Sequence, residues 1–315
     1  MPCRNKNTKI LLLNAKVFLF FLQKTLYKFS VMKYNNNITY GIRPKKRKVD
    51  IKMKKFLALT LALLMVVFCF AGCAKKEAET IVVGYTIYEP MNYLDENGKL
   101  VGFDTELAEK VFSNLGYKVV FKEIKWENKY TELDSGAIDC IWNGFTCNSA
   151  DDDGVQRSEK VDFTYKYMEN RQVIVVKKDS GIASAADLNG KIADAEIGSA
   201  GESYAKGFEG IVFKGSIKQT DCLLSVKSGN ADFAVLDAQL ANSYCGKGDY
   251  ADLQIVDALT SDVEYYAVGF KKGSDLTAKV NAQFEALAKD GTLAALGEKY
   301  PKVANSIITD FANQK

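Results

Sequence analysis

Asp104-Thr105-Glu106-Leu107-Ala108-Glu109-Lys110-Val111-Phe112-Ser113-Asn114-Leu115-Gly116-Tyr117-Lys118-Val119-Val120-Phe121 is the stretch that decides the fold class. Leu107, Val111, Phe112 and Leu115 recur at three- and four-residue spacing, so residues 104–115 form an amphipathic helix with one apolar face. Gly116 supplies the stop. Residues 118–124 then turn β-branched and aromatic, the composition of a strand. A similar run, Ile81-Val82-Val83-Gly84-Tyr85, precedes the helix. Strand, helix and strand in that order make the unit of an α/β sheet.

The alternation continues to the end of the chain. Residues 129–134 read as a short helix before Gly136, and 138–142 as a strand. Strands follow at 171–177, 192–195, 231–236 and 265–270, with helices at 203–208, 221–228, 238–244, 276–289 and 292–299. Asn97-Gly98 marks a turn between short extended pieces. This pattern predicts parallel sheets with helices on both faces, and ligand groups at the carboxyl ends of the strands.

Upstream, Lys54 and Lys55 precede an apolar run over residues 56–71, and Gly72-Cys73 closes it. That is the order of a secretory signal at 53–72, and the run is shorter than the roughly 20 residues of a membrane helix. Phe70-Ala71-Gly72-Cys73 resembles a bacterial lipobox, with phenylalanine where leucine is usual. Cys73 would then carry lipid and hold the protein on the extracytoplasmic face of the cell membrane. Residues 1–52 are expected to be a leader upstream of the true initiator Met53, and 73–80 a tether. The basic run Lys45-Lys46-Arg47-Lys48 looks like a nuclear-import signal, which an exported lipoprotein would not use.

The chain has 42 Lys and Arg against 39 Asp and Glu, a net +3. Residues 1–72 hold 15 of the basic residues and one acid, leaving 27 against 38, or −11, in the remainder. An acidic body of this kind is a poor nucleic-acid binder. With no histidine anywhere, Ser-His-Asp and Cys-His nucleophiles and His-ligated metals are excluded. Cys140, Cys147, Cys222 and Cys245 lack Cys-x-x-Cys spacing, so no structural zinc is expected. Disulfides and buried free thiols both stay open for them. Asp151-Asp152-Asp153-Gly154 hints at a calcium loop, but Ser149 and Lys160 occupy positions that need acids. A solvated acidic loop is expected there, and no metal or cofactor.

Several segments, in order, carry a resemblance. They include Tyr88-Glu89-Pro90-Met91-Asn92-Tyr93, Gly102-Phe103-Asp104, Leu133-Asp134-Ser135-Gly136-Ala137-Ile138-Asp139 and Gly144-Phe145-Thr146. Arg157 with Val161-Asp162-Phe163-Thr164, Asp187-Leu188-Asn189-Gly190-Lys191, Gly198-Ser199, Ser228-Gly229-Asn230-Ala231-Asp232, Asp237 and Asp290-Gly291-Thr292-Leu293 complete it. Residues 81–301 resemble a bacterial extracellular solute-binding protein of family 3, the polar amino acid receptors of ABC importers. The resemblance implies a two-lobed type II periplasmic-binding-protein fold, with two hinge strands and a ligand cleft between the lobes. Lobe 1 would be 81–172 and 267–315, and lobe 2 173–266, with the crossings at 172–174 and 265–267.

A free amino acid is a zwitterion, so its receptor must offer a cation and an anion. By the resemblance, Arg157 takes the carboxylate, its planar fork matching both oxygens. The spacing from Thr146 to Arg157 exceeds the family's usual one, the excess being the acidic insertion around Asp151. Asp237 would take the ammonium at the end of a strand, or cap the following helix. Gly144 and Thr146 would assist Asp237 through a carbonyl and a hydroxyl. Ser199 would meet the carboxylate or cap its own helix. Tyr88 and Trp126 would wall the ligand side chain or sit in the core, and Asn143 would face the cleft beside Gly144. Thr86 stands where receptors for dibasic ligands and glutamine often have aspartate, which favours a polar uncharged amino acid or cystine; Glu89 and Glu196 are further acids within reach. The implied partners are the amino acid and the permease and ATPase subunits of an importer, with the receptor itself a monomer. Two alternatives share the fold: a chemosensory binder without transport, and an enzyme such as a dehydratase.

Cys73→Ser is expected to release the protein from membranes or leave an uncleaved precursor. Detergent partitioning and mass spectrometry of the mature amino terminus check this, an unmodified mature end elsewhere being the contrary result.

Overall fold

In the computed structural model the described residues are 78–314, all within one compact unit, Glu77–Lys315. The leader, the signal, Cys73 and most of the tether lie outside the described residues. The first part of the chain runs β1 (Thr80–Tyr85), β2 (Tyr93–Leu94), β3 (Leu100–Val101), α1 (Phe103–Asn114), β4 (Lys118–Glu123), α2 (Lys129–Asp134), β5 (Cys140–Ile141), α3 (Arg157–Lys160), β6 (Asp162–Phe163) and β7 (Met168–Asn170). A second part follows as β8 (Gln172–Lys177), β9 (Ile192–Glu196), α4 (Ala200–Lys206), β10 (Val212–Ser216), α5 (Gln219–Ser228), β11 (Phe233–Asp237), α6 (Ala238–Tyr244) and β12 (Leu253–Thr260). The chain then returns through β13 (Glu264–Tyr266) and β14 (Gly269–Phe270) to α7 (Leu276–Lys289) and α8 (Thr292–Lys299).

Two five-stranded sheets result, ordered β4-β1-β5-β14-β6 and β10-β9-β11-β8-β12. Neither is wholly parallel, which corrects the sequence reading. β1 runs parallel to β4 and β5, but β14 is antiparallel to β5 and β6. β9 runs parallel to β10 and β11, but β8 is antiparallel to both β11 and β12. Parallel neighbours need a long crossover. β8 and β14 each enter their sheet directly from the passage between sheets, with no α-helix before them to reverse direction. β10 and β12, absent from the sequence reading, are edge strands; Val-Phe-Lys-Gly-Ser in β10 is mostly exposed and so lacks an apolar run.

Burial follows the predicted faces. Leu107, Ala108, Val111 and Phe112 of α1 are fully buried with Ile81, Val83, Phe284 and Leu287. Trp142 sits at the centre of this core, its ring edge-on to Phe112 at 5.7 Å and Phe284 at 5.8 Å. The second sheet packs Ile174, Val176, Phe233 and Val235 in a separate cluster. Between the sheets, β7 and β13 pair antiparallel, Glu264 opposite Asn170 and Tyr266 opposite Met168. Both passages of the chain therefore lie side by side, the first just ahead of the expected 172–174. Cys140, Cys147, Cys222 and Cys245 are free thiols.

Two features anchor the start of α1, one against the loop after β1 and one against the loop after β5. Gly102 precedes the helix at φ 130°, ψ 167°, and a Cβ there would lie 2.1 Å from the Met91 carbonyl oxygen. That region of backbone space is essentially glycine's alone. Asp104, fully buried in the first turn, accepts the Gly144 amide at 2.9 Å and the Tyr167 hydroxyl at 2.9 Å. Burial pushes its carboxyl from 3.8 to about 7 against those hydrogen bonds.

Gly102→Ala should destabilise the fold by about 1–3 kcal/mol or more, read from urea midpoints. For Asp104 the folded pKa lies above the unfolded one, so its contribution is most favourable below pH 3.8 and declines as pH rises towards 7. The loss is about 4 kcal/mol at most. Comparing thermal midpoints across pH 4–8, Asp104→Asn should remove this decline; a parallel pair of curves would contradict it.

Candidate functional site

The ends of β5, β9 and β11 deliver the polar residues of one cleft. Trp126, Asn143, Gly144, Thr146 and Arg157 line it from the first sheet's side, and Glu196, Ser199, Gln219 and Asp237 from the second's. The space enclosed is about 10 Å³, room for one water. The lobes are thus shut on each other. The Gly198 carbonyl accepts Lys129 Nζ at 2.9 Å and Arg157 Nη2 at 3.2 Å. Lys218 also pairs with Glu123 at 2.6 Å, and Lys206 with Asp152 at 3.3 Å. A molecule larger than water can enter only when these contacts part.

Arg157 opens α3 and is 1% exposed. Its Nε donates to Asp151 Oδ1 at 2.9 Å and its Nη1 to the Thr146 carbonyl at 3.2 Å, while the fork packs on the Phe145 ring. The acidic insertion is therefore more than the solvated loop expected from sequence. Asp151 is nearly buried and also accepts Lys160 Nζ at 2.8 Å and the Tyr130 hydroxyl at 2.7 Å. Burial pushes its carboxyl up, but the charges of Arg157 and Lys129 and the hydrogen bonds from Lys160 and Tyr130 outweigh that and hold it at about 2.

Asp237 heads α6, yet its side chain makes no capping bond. Its Oδ1 accepts Asn170 Nδ2 and Gln172 Nε2, both at 2.6 Å, and its Oδ2 accepts Gln219 Nε2. Glu264 stands beside it, accepting Gln172 Nε2 at 2.9 Å and the Thr146 hydroxyl at 3.2 Å. Burial raises the pKa of both carboxyls. Asp237 in the cleft and Glu264 behind it thus share one network of amides and hydroxyls, surroundings that suit an ammonium.

The remaining candidates divide. Trp126 lines the cleft, edge-on to Phe145 at 5.3 Å, with the Lys129 ammonium 5.2 Å from its ring centre. Gly144 takes φ 57°, and a Cβ there would meet the Tyr88 ring at 2.7 Å. Tyr88 consequently lies behind Gly144 rather than along the cleft, its hydroxyl bonded to that of Tyr266 at 2.7 Å. Asn143 reaches the cleft wall with both amide hydrogens spent on the Thr86 carbonyl and Asn92 Oδ1, and its oxygen accepts the Thr86 hydroxyl at 2.7 Å. It holds the loop in place. Ser199 caps α4 by accepting the Glu202 amide at 3.1 Å, and its hydroxyl proton stays available. Glu89 points elsewhere, to Lys302 at 3.0 Å.

Lys129, Glu264, Asn170, Gln172 and Gln219 are further candidate positions, at the cleft or bonded to its lining, that the sequence reading missed. Asn170 and Gln172 carried a signal, polar residues two apart in an extended segment and so on one face. Lys129 carried none: a lysine in a short helix reads as solvated, whereas here burial lowers its pKa to about 7. Among the described residues no cluster of acids and cysteines could hold a metal ion, and no helix is long and apolar enough to cross a membrane.

Comparison with known proteins agrees with this architecture. The family model for bacterial extracellular solute-binding proteins, family 3, matches residues 81–303. The chain is similar to the arginine-binding extracellular protein ArtP of Bacillus subtilis, 28% identical over 79% of this chain and 98% of the relative. It is also similar to the L-cystine-binding protein TcyA of Bacillus subtilis, 30% identical over 73% of this chain and 84% of the relative. Among solved structures, an ancestral arginine-binding protein bound to arginine superposes with a TM-score of 0.64 at 35% identity, covering 71% of this chain and 98% of the other. These neighbours have the two-lobed type II periplasmic-binding-protein fold and are named as binding proteins, not enzymes. With its two sheets, paired crossings and cleft of opposed charges, the chain belongs to the bacterial extracellular solute-binding proteins of family 3.

Proposed function

We propose that this protein captures a polar α-amino acid outside the cytoplasm and delivers it to the permease and ATPase subunits of an ABC importer. Lipid on Cys73 holds it at the membrane. The observation that carries the reading is the opposition of Arg157 and Asp237 across one cleft, a cation from one lobe and an anion from the other. A zwitterion satisfies both only when the lobes are closed, so ligand binding favours closure. Cystine, the ligand named for TcyA, fits the same two anchors, since each of its halves is an α-amino acid.

Thermal-shift screening against the twenty amino acids and cystine should raise the midpoint for at least one of them. Arg157→Ala and Asp237→Ala should each weaken its binding by about 2–5 kcal/mol, roughly thirtyfold to several thousandfold. Arg157→Lys should also bind poorly, because a point charge cannot replace the fork. Calorimetry measures the affinities and circular dichroism confirms folding. Binding unchanged in Arg157→Ala would remove the arginine from the site, and a panel with no ligand at all would overturn the function.

A further inference from the structure

Glu196 ends β9 in the cleft wall, 3% exposed, beside Trp126, Gln219 and Asp237. Its Oε1 has no hydrogen-bond partner, unlike the carboxyls of Asp237 and Glu264, which amides and hydroxyls satisfy. A buried carboxyl oxygen left unpartnered is costly, so such a group is retained where something else completes it. The cleft's cations do not serve. Arg157 is committed to Asp151, the Thr146 carbonyl and the Gly198 carbonyl, and Lys129 Nζ donates to the Gly198 carbonyl.

Charge count points the same way. Glu196 and Asp237 line one small space, Glu264 joins them through Thr146 and Gln172, and none of the three forms an ion pair among the described residues. One α-ammonium answers the Asp237 and Glu264 side. A second positive group on the ligand would answer Glu196. Thr86, the position that argued from sequence against a dibasic ligand, has its hydroxyl turned to Asn143 and bears little on ligand charge.

Resting on the amino acid reading above, we propose that Glu196 is the specificity-determining residue, and that the ligand is an amino acid with a cationic side chain, an ammonium or a guanidinium, which pairs with its carboxylate. The charged groups acting on Glu196 are Asp237, Lys129, Asp221 and Lys218, and burial is the largest influence, holding its carboxyl well above the ordinary range. Burial thus favours the neutral carboxyl in the closed, ligand-free form, and a cation beside it would favour the ionised one.

The test is calorimetry at pH 7.5 with arginine and lysine, and with their uncharged counterparts citrulline and glutamine. The parent should favour the cations by about thirtyfold or more. Glu196→Gln should reduce cation affinity to the level of the uncharged pair, whose own affinity stays close to the parent's. Repeating the titration in two buffers of different ionisation heat should show proton release with arginine in the parent and less in Glu196→Gln, a difference a purely structural role would not produce. Glu196→Asp should restore part of the preference. Tighter binding of citrulline or glutamine in the parent, or an unchanged preference in Glu196→Gln, overturns the cation proposal while leaving the amino acid reading intact. A panel in which nothing binds overturns both.

Discussion

Three backbone pairs, Glu264 with Asn170, Tyr265 with Glu169 and Tyr266 with Met168, carry both passages of the chain between its sheets. Hinge and binding site meet on this short ribbon. Asn170 sits on the first passage and Glu264 on the second, and Asn170 donates to both Asp237 and Glu264. Gln172, just past the first passage, does the same. Any rotation of one sheet against the other must strain or preserve these hydrogen bonds, because their partners belong to different segments. The anion end of the cleft is thereby attached to the hinge itself, and the cation end, Arg157, lies beyond it on the far side of Thr146.

The cation end is organised by charge. Arg157 is almost fully buried, and a buried guanidinium without a counterion would be severely destabilising. Asp151 supplies that counterion from an insertion in the loop, and Lys160 and Tyr130 fix Asp151 in turn. Asp151 and the Thr146 carbonyl hold the arginine from its own side of the cleft. Only the bond from Nη2 to Gly198 crosses the cleft. Breaking that one bond would free one edge of the fork, the edge that the proposed reading gives to a ligand carboxylate, with the other edge still held by Asp151 and Thr146.

How much of this was legible in the sequence depended on whether a residue obeyed a periodic pattern. The helices at 129–134, 238–244, 276–289 and 292–299 fall where the sequence placed them, because apolar spacing and glycine stops define them locally. β10 escaped because most of it is exposed, and β12 because its buried Leu253, Val256 and Leu259 fall three apart and break the alternation of a strand. Strand direction escaped for β8 and β14, since antiparallel insertion is decided by the passages between sheets and not by local composition. Asp237 was visible as a carboxylate at a strand end. Its three amide partners were not, for Asn170, Gln172 and Gln219 are far from it in sequence. The burial of Asp151 was equally hidden, because a run of three aspartates beside glycine has the composition of an exposed turn.

The closed arrangement of the lobes also has a definite cause. Lys129 and Arg157 both converge on one carbonyl, that of Gly198, at the turn between β9 and α4. Gly198 adopts φ 76°, and a Cβ there would stand 3.3 Å from the Glu127 Cα and from Lys129 Nζ. Glycine therefore permits both the left-handed turn and the close approach of the opposite lobe. A peptide carbonyl carries a partial negative charge at the oxygen, so it can meet two donors much as a carboxylate oxygen would. In the closed lobes Gly198 thus answers the cleft's two cations with the receptor's own backbone. The ligand carboxylate of the proposed reading would bring a full charge to the same donors, and charge-assisted hydrogen bonds are the stronger ones. On the proposed reading, exchange of the Gly198 carbonyl for a ligand oxygen at Arg157 strengthens the contact, and it requires the inter-lobe pairs of Lys218 with Glu123 and Lys206 with Asp152 to part as well.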